Sequence, residues 1–440
     1  MNKPLCVVSS PVDTYSGYGA RARDFIKALI LSKPHWDIKL LSQRWGNTRF
    51  GYLEDHNELD LKSRIIPQMT QQPAYWFQIT VPNEFQPVGT TYNCGVTAGI
   101  ETTVCDPSWI EGLNRMNMTL VSSEHAKKVF TDSKFQIKDN KGNISGALEL
   151  NKPVEVLFEG IDLNKYNSIP EKEYPITDFT QELNQIEDKF CFLFVGHWLQ
   201  GVIGEDRKNV GLLISSFLHA YKNKANKPAL ILKISSATNC IMDRDEMLSK
   251  IDAIKKSIGS DNIPNIYLLH GDLEDADINL LYNHPKVKAM ISLTKGEGFG
   301  RPLLEFSLSK KLVIASDWSG HKDFLDSKFS YLISGQLKQI HESAVVDKML
   351  LKESAWFTPN EADINKMWID VFNNYKKYID AGKRQGHKSK TEFSFNKMTE
   401  VLSEIIENNF SKPKVLQLPT LKKIELPKIN KIELPKINKI

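Results

Sequence analysis

Short apolar runs recur along the whole chain, separated by segments whose apolar residues follow helical spacing. In the second half the runs are FCFLFVG (Phe190 to Gly196), ALILKIS (Ala229 to Ser235), IYLLHG (Ile266 to Gly271), VKAMISL (Val287 to Leu293) and KLVIASD (Lys311 to Asp317). Segments such as GLLISSFLHAY lie between them. A strand with no polar face is buried on both sides, so this alternation predicts a parallel sheet covered by helices on both faces. The first half has the same rhythm, with strands at LCVVSS, IKLLS, TLVSS and VEVLFEG and helices at ARARDFIKALIL and SEHAKKVF. The expected fold class is therefore α/β, with two Rossmann-like domains. The polar connection NKYNSIPEKEYPITDFTQELNQ divides them, giving residues 1–175 and 176–410. Ligands of open parallel sheets bind at the carboxyl ends of strands, so the cleft between the two units is the expected site.

A length of 440 residues agrees with two cores rather than one. No apolar run approaches the roughly 18 residues of a membrane span. The N-terminal MNKPLCVVSSP reads straight into a strand with no signal-peptide core. Five cysteines without a CxxC pair fit a reduced cytosol and predict neither a zinc site nor a disulfide framework. The expected location is cytoplasmic.

The formal charge of +4 is unevenly spread. Residues 411–440 hold eight Lys and two Glu, so the other 410 residues carry a net −2. The body therefore has no overall bias toward polyanions. KIELPKIN occurs at 423–430 and again at 431–438. A proline in each copy and a polar, Lys-rich spacing predict a mobile appendage, or else a tether for an anionic membrane or an acidic partner.

The chemistry concentrates in TKGEGFGRPLLEF, Thr294 to Phe306. A buried strand precedes it, three glycines allow tight turns and close approaches, and Pro302 suits the start of a helix. Glu297 is thus placed on the loop and Glu305 in the first helical turn. A first-turn acid complementing the helix dipole would explain Glu305 alone, and a solvated loop would explain Glu297 alone. Together, after a buried strand in the second Rossmann-like unit, they resemble the E-x7-E signature of retaining GT-B glycosyltransferases, in particular glycosyltransferase family 4. The resemblance implies that Glu297 lies beside the donor sugar, that Glu305 holds the ribose of the nucleotide, and that Gly298, Phe299 and Gly300 back the sugar.

Three further stretches carry the resemblance. FVGHWLQGVIGEDRKNVGLLISSF places Arg207 and Lys208 where the family neutralises the leaving diphosphate, with His197 where the family often has Arg and a longer loop between. In TYSGYGARARDF, Gly17 and Gly19 resemble the glycine-rich loop that lets backbone approach the donor phosphate. TAGIETTVCDPSWIEGLNRMN matches at Glu101, Trp109 and Asn114, and Glu101 is expected on the acceptor side of the cleft.

The implied fold is GT-B, two facing Rossmann-like domains. The implied activity is transfer of a sugar, with retention, from a UDP- or GDP-sugar to a hydroxyl of a glycan, lipid-linked sugar, protein or modified nucleic-acid base. Lys208 and Arg207 would stand in for a metal, and no cofactor beyond the nucleotide sugar is implied. Glu297 and Lys208 are expected to serve turnover rather than folding. Two D-x-D triplets, Asp243 to Asp245 and Asp275 to Asp277, match the metal motif of the other glycosyltransferase fold but follow no buried strand closely. The alternatives are a non-transferring GT-B enzyme (an epimerase or a phosphorylase) and a non-catalytic glycan- or nucleotide-binding relative.

Overall fold

The computed structural model describes residues 3–139, 141–236 and 240–410. The Lys-rich repeat at 411–440 lies outside the described residues. Two six-stranded parallel sheets form the frame. The first is built from β1 (Leu5–Ser10), β2 (Asp37–Ser42), β3 (Tyr75–Ile79), β4 (Tyr92–Val96) and β5 (Met118–Val121), followed by a hairpin of β6 (Phe135–Lys138) and β7 (Ile144–Leu148), and β8 (Val154–Val156). Its order is β2-β1-β3-β4-β5-β8. The second uses β9 (Cys191–His197), β10 (Ala229–Ser235), β11 (Ile266–Leu269), β12 (Val287–Ser292), β13 (Leu312–Ser316) and β14 (Tyr331–Ile333). Its order is β11-β10-β9-β12-β13-β14. An antiparallel pair, β15 (Gly335–Gln339) and β16 (Ala355–Pro359), follows.

In each sheet the order reverses at one place, between β1 and β3 in the first and between β9 and β12 in the second. Loops leaving neighbouring strands diverge there, which opens a crevice at the carboxyl ends. The loop after β1 leads into the helix whose first turn holds Gly17 and Gly19, the loop after β9 carries Arg207 and Lys208, and the loop after β12 carries Glu297. Topology therefore brings together residues that are far apart in sequence.

The apolar runs become the cores. Phe192, Phe194, Leu230, Leu232 and Ile291 are fully buried on one face of the second sheet, with Leu193, Ile231 and Val313 on the other. The first sheet is likewise covered on both faces, by Phe25, Ile26 and Leu29 on one side and by Trp109, Ile110 and Phe130 on the other. VEVLFEG forms only the three residues of β8, because Leu157 and Phe158 turn out of the sheet to pack against other elements.

One element departs from the expected division. The last described helix, Phe395–Asn409, falls within 176–410, yet it packs on the first unit. Met398, Leu402 and Ile406 join the core formed by Val8, Phe25 and Phe77. Phe410 stacks on Tyr92 with ring centroids 4.0 Å apart. The helix presents its apolar stripe at i, i+4, i+8, which suits docking on a surface but does not identify which one. Leu402→Ala should cost about 2–5 kcal/mol, the usual range for a fully buried leucine. The loss should appear in urea unfolding followed by a probe in the first unit. An unchanged unfolding midpoint would show that this helix does not complete that core.

Candidate active site

Asn209 fixes the approach of the first cations. It caps the helix Val210–Tyr221 in a left-handed backbone conformation, φ 58°, which asparagine tolerates better than most side chains. The sharp turn leaves Arg207 and Lys208 directed at the loop after β12. Lys208 Nζ donates to both oxygens of Glu297, at 2.5 and 2.8 Å. Arg207 Nη1 donates to the Gly296 carbonyl at 2.9 Å and stands 3.6 Å from Glu297 and 3.7 Å from Glu101. The site thus holds two cations and two carboxylates, and Glu101 is supplied by the first unit.

Glu297 is buried. Burial pushes its carboxyl up, but Lys208 and Arg207 outweigh it and hold the pKa at about 2. Burial pulls Lys208 down from the usual lysine range, with Arg207 adding to the effect and Glu297 opposing it. Glu297 is fixed from its backbone as well. Its N–H donates to Ser319 Oγ at 2.9 Å, and its carbonyl accepts from Gly320 N–H at 3.0 Å. Beneath the loop, His321 is fully buried and donates through Nε2 to the Ser316 carbonyl at 2.6 Å. Burial pushes its pKa down, against the Ser316 hydrogen bond and Glu297.

The glycines here serve close approach as much as turning. A Cβ on Gly296 would fall on the Glu101 carbonyl oxygen, and one on Gly298 would fall on that of Ala98. The Gly298 carbonyl accepts from Ser123 Oγ at 2.6 Å and Ser122 Oγ at 3.2 Å. The two units therefore touch backbone to backbone at the cleft floor. Gly300, φ 94°, makes the turn into the helix Arg301–Ser307. Phe299 is buried in the second unit's core, 5.2 Å from Phe324, and so anchors this loop.

Glu305 belongs to a second cluster. Arg301 Nε donates to it at 2.8 Å and the Tyr282 hydroxyl at 3.2 Å. Burial lifts its carboxyl to about 7 despite these donors. Arg301 also reaches Asp24 of the first unit at 2.6 Å. Gly17, Asp24, Tyr52, Asp275, Arg301 and Glu305 line a cavity of about 290 Å³. That is close to the lower bound of roughly 300 Å³ for small-molecule pockets. The cavity reaches Glu305 but not Glu297 or Lys208. Gly17 opens the helix Gly17–Ser32 with free space where a Cβ would be, whereas Gly19 lies tight under Thr14. His197 ends β9, its Nδ1 3.3 Å from Ser235 Oγ. Desolvation, then Lys208 and Arg207, push it down to about 4.

Several expected residues have structural duties. Trp109 is buried in the first unit's core, and Asn114 ties its helix to Glu149 and Asn151. Asp275 is engaged by Lys165 at 2.7 Å and Tyr166 at 2.9 Å, and Asp243 by His270 at 2.7 Å. Among the described residues no three His, Cys, Asp or Glu side chains gather as metal ligands. Arg301 was absent from the expected site residues, although its i, i+4 spacing to Glu305 signals the pair. Tyr282, Ser319 and Asp24 give no comparable signal.

No family model matches the chain, and no curated protein matches it. Solved structures do. The HepE protein of Anabaena, solved in complex with UDP-glucose, is 13% identical with a TM-score of 0.61, covering 92% of this chain and 100% of that one. Sucrose-phosphate synthase from Thermosynechococcus elongatus is 11% identical with a TM-score of 0.60, covering 92% and 98%. A glycosyltransferase from Rickettsia africae is 13% identical with a TM-score of 0.58, covering 93% and 99%. The chain has the GT-B fold.

Glu297 is buried and Lys208 part-buried, so their pairing carries a stability term of its own beside any role in turnover. Glu297→Gln leaves the part-buried Lys208 and Arg207 short of a counter-charge and should cost about 3 kcal/mol near pH 7, the value of a carboxyl held roughly two pH units low. The pH dependence has a definite sign. Glu297 titrates at about 2 when folded and at about 4.3 when unfolded, so its contribution is complete above the unfolded value. It is lost as pH falls toward the folded value. Urea midpoints of wild type and Glu297→Gln should therefore converge from pH 7 to pH 3. A constant difference would show that the carboxylate is not held by these cations.

Proposed function

We propose that this protein is a glycosyltransferase that moves a sugar from a nucleoside diphosphate donor to an acceptor hydroxyl, with retention and without a metal. The observation that carries the reading is the meeting of Lys208 and Glu297 at the switch point of the second sheet, opposite Glu101. The reading is supported by the GT-B fold, one of whose solved neighbours holds UDP-glucose.

In the ligand-free protein the four charged groups balance. An arriving diphosphate brings negative charge that competes with Glu297 for Lys208 and Arg207. As they turn to the phosphates, Glu297 is released to accept hydrogen bonds from hydroxyls of the donor sugar, a geometry that suits a carboxylate. Glu305, beside the cavity that Gly17 lines, accepts from the ribose. Its carboxyl titrates at about 7, so neutral or basic pH favours this role.

The bond from the anomeric carbon to the diphosphate oxygen breaks as negative charge grows on the leaving group. Fixed cations in a site shielded from water stabilise that charge without reorganising. The acceptor oxygen attacks the face the diphosphate leaves, and its proton passes to the departing phosphate oxygen. The configuration at the anomeric carbon is kept. In this scheme Lys208 and Arg207 do the work for which other enzymes use a divalent cation. The domain division proposed is 1–175 for the acceptor side and 176–410 for the donor side, with the helix Phe395–Asn409 returning to brace the first.

A donor screen reading nucleoside diphosphate release, with and without sugar acceptors, tests the activity. Turnover should survive excess EDTA, and NMR of the product should show the donor's anomeric configuration. Lys208→Met and Glu297→Gln, assayed where circular dichroism shows them folded, should each lose at least tenfold in kcat/KM, about 1.4 kcal/mol of transition-state stabilisation. Full activity in either folded variant, or loss on chelation with rescue by manganese, would overturn this assignment of roles.

A further inference from the structure

The first unit carries a feature that the donor chemistry leaves unused. The loop after β2, residues 43–51, reads QRWGNTRFG and emerges at the carboxyl end of the first sheet, on the cleft side. It is a built loop. Gln43 N–H donates to Ser10 at 2.8 Å, Tyr15 N–H to Arg49 at 3.0 Å, and Gly51 N–H to Asp13 at 2.9 Å, which pins it to the loop after β1.

Trp45 stacks on Tyr18, with ring centroids 4.0 Å apart and planes 21° from parallel. The Tyr18 hydroxyl accepts from Ala98 N–H at 3.1 Å and shares a hydrogen bond with Thr97 Oγ1 at 2.9 Å. Ala98 is the residue whose carbonyl lies where a Gly298 Cβ would be. One aromatic ring and one hydrogen bond therefore connect Trp45 to the loop that bears Glu297. The Trp45 ring is half-buried, with one face covered by Tyr18. Its neighbour Arg44 is exposed, lies over the Phe50 ring at 5.9 Å, and has no carboxylate within salt-bridge range among the described residues.

We infer that Trp45 and Arg44 form the acceptor subsite, and that its ligand is a sugar ring bearing one anionic substituent, a uronate or a sugar phosphate. The inference rests on the proposed transfer activity and names its acceptor class. A half-exposed indole offers a flat apolar face to the C–H side of a pyranose, gaining dispersion without competing for its hydroxyls. An exposed guanidinium beside it pairs with a carboxylate or phosphate. Aromatic and arginine side chains together also suit single-stranded nucleic acid. The charges around the loop favour the small acid instead. Glu54 and Asp55 lie in the next short helix, Glu58 caps the one after it and Asp60 lies within that one, and the four pair with Lys62, Arg49, Lys27 and Arg64. Arg49, the loop's other cation, is already paired with Asp55 at 2.5 Å. Among the described residues these pairs leave no run of free cations around the loop for a polyanion, whereas a single anionic substituent needs Arg44 alone.

The test is ligand-observed NMR on the full chain saturated with UDP, at low salt, with glucose, glucuronate, glucose 6-phosphate and an oligothymidylate as probes. Glucuronate or glucose 6-phosphate should bind at least fivefold tighter than glucose, and whichever binds more tightly identifies the substituent. Trp45→Ala should weaken binding at least tenfold, while Trp45→Phe should stay within threefold of wild type. Arg44→Gln should abolish the preference for the acidic sugar while leaving glucose binding within twofold. Unchanged binding in Trp45→Ala, an acid preference that survives Arg44→Gln, or displacement of the sugars by the oligothymidylate would overturn the inference. Should Trp45→Ala fail to fold, Arg44→Gln and Trp45→Phe decide. Calorimetry of UDP-sugar binding to the wild type is a separate arm, and its failure would overturn the transfer reading while leaving the sugar-binding pattern to stand or fall alone.

Discussion

The buried carboxylate of Glu297 needs cations beside it, and that requirement shapes the rest of the cleft. An isolated buried charge costs several kcal/mol, so the buried Glu297 depends on the part-buried Lys208 and Arg207, while Glu101 meets Arg207 from the more open side. Satisfying them requires loops from β9 and β12 to converge, which the reversal of strand order provides. It requires the left-handed turn at Asn209 to aim the two basic residues. It also requires Ser319 and Gly320 to hold the Glu297 backbone from behind. Two positive and two negative side chains leave the arrangement formally neutral.

The contacts that close the cleft are of two kinds, and they differ in strength. At the floor, backbone meets backbone where glycines replace side chains, and Ser122 and Ser123 bond to the Gly298 carbonyl. At the rim, His56 meets Glu274 and Lys165 meets Asp275 through partly exposed side chains. Exposed ion pairs contribute between about 0 and 1 kcal/mol each. Arg301, bonded to Glu305 within its own unit and to Asp24 across the cleft, stands between the two kinds. The rim contacts therefore add little to what the floor contacts already fix.

Much of the frame was legible in the sequence because its strands are apolar on both faces. Leu5–Ser10 and Ala229–Ser235 match their runs residue for residue. Tyr75–Ile79 was harder to see, since prolines flank it at Pro73 and Pro82 and hide the strand's limits. The acidic pair of the site was legible because a strand, three glycines and a proline mark its turn. The partners of those acids were less so. Asp24 and Tyr282 sit on helices with no local mark, and their pairing depends on how distant elements dock. For the same reason the return of Phe395–Asn409 to the first unit could not be read from its apolar stripe.

That returning helix has a consequence for biosynthesis. Residues of the first sheet leave the ribosome early, but Met398, Leu402 and Ile406, which seal one of its faces, are made some hundreds of residues later. Until then Phe77 and Tyr92 lack the cover that Phe410 later provides. Domains generally fold as units in order of synthesis. Here the second unit, whose core among the described residues draws on nothing beyond residue 393, can complete itself first. The unit translated first waits for that returning helix, and in that interval its uncovered apolar face is open to association with chaperones or other chains.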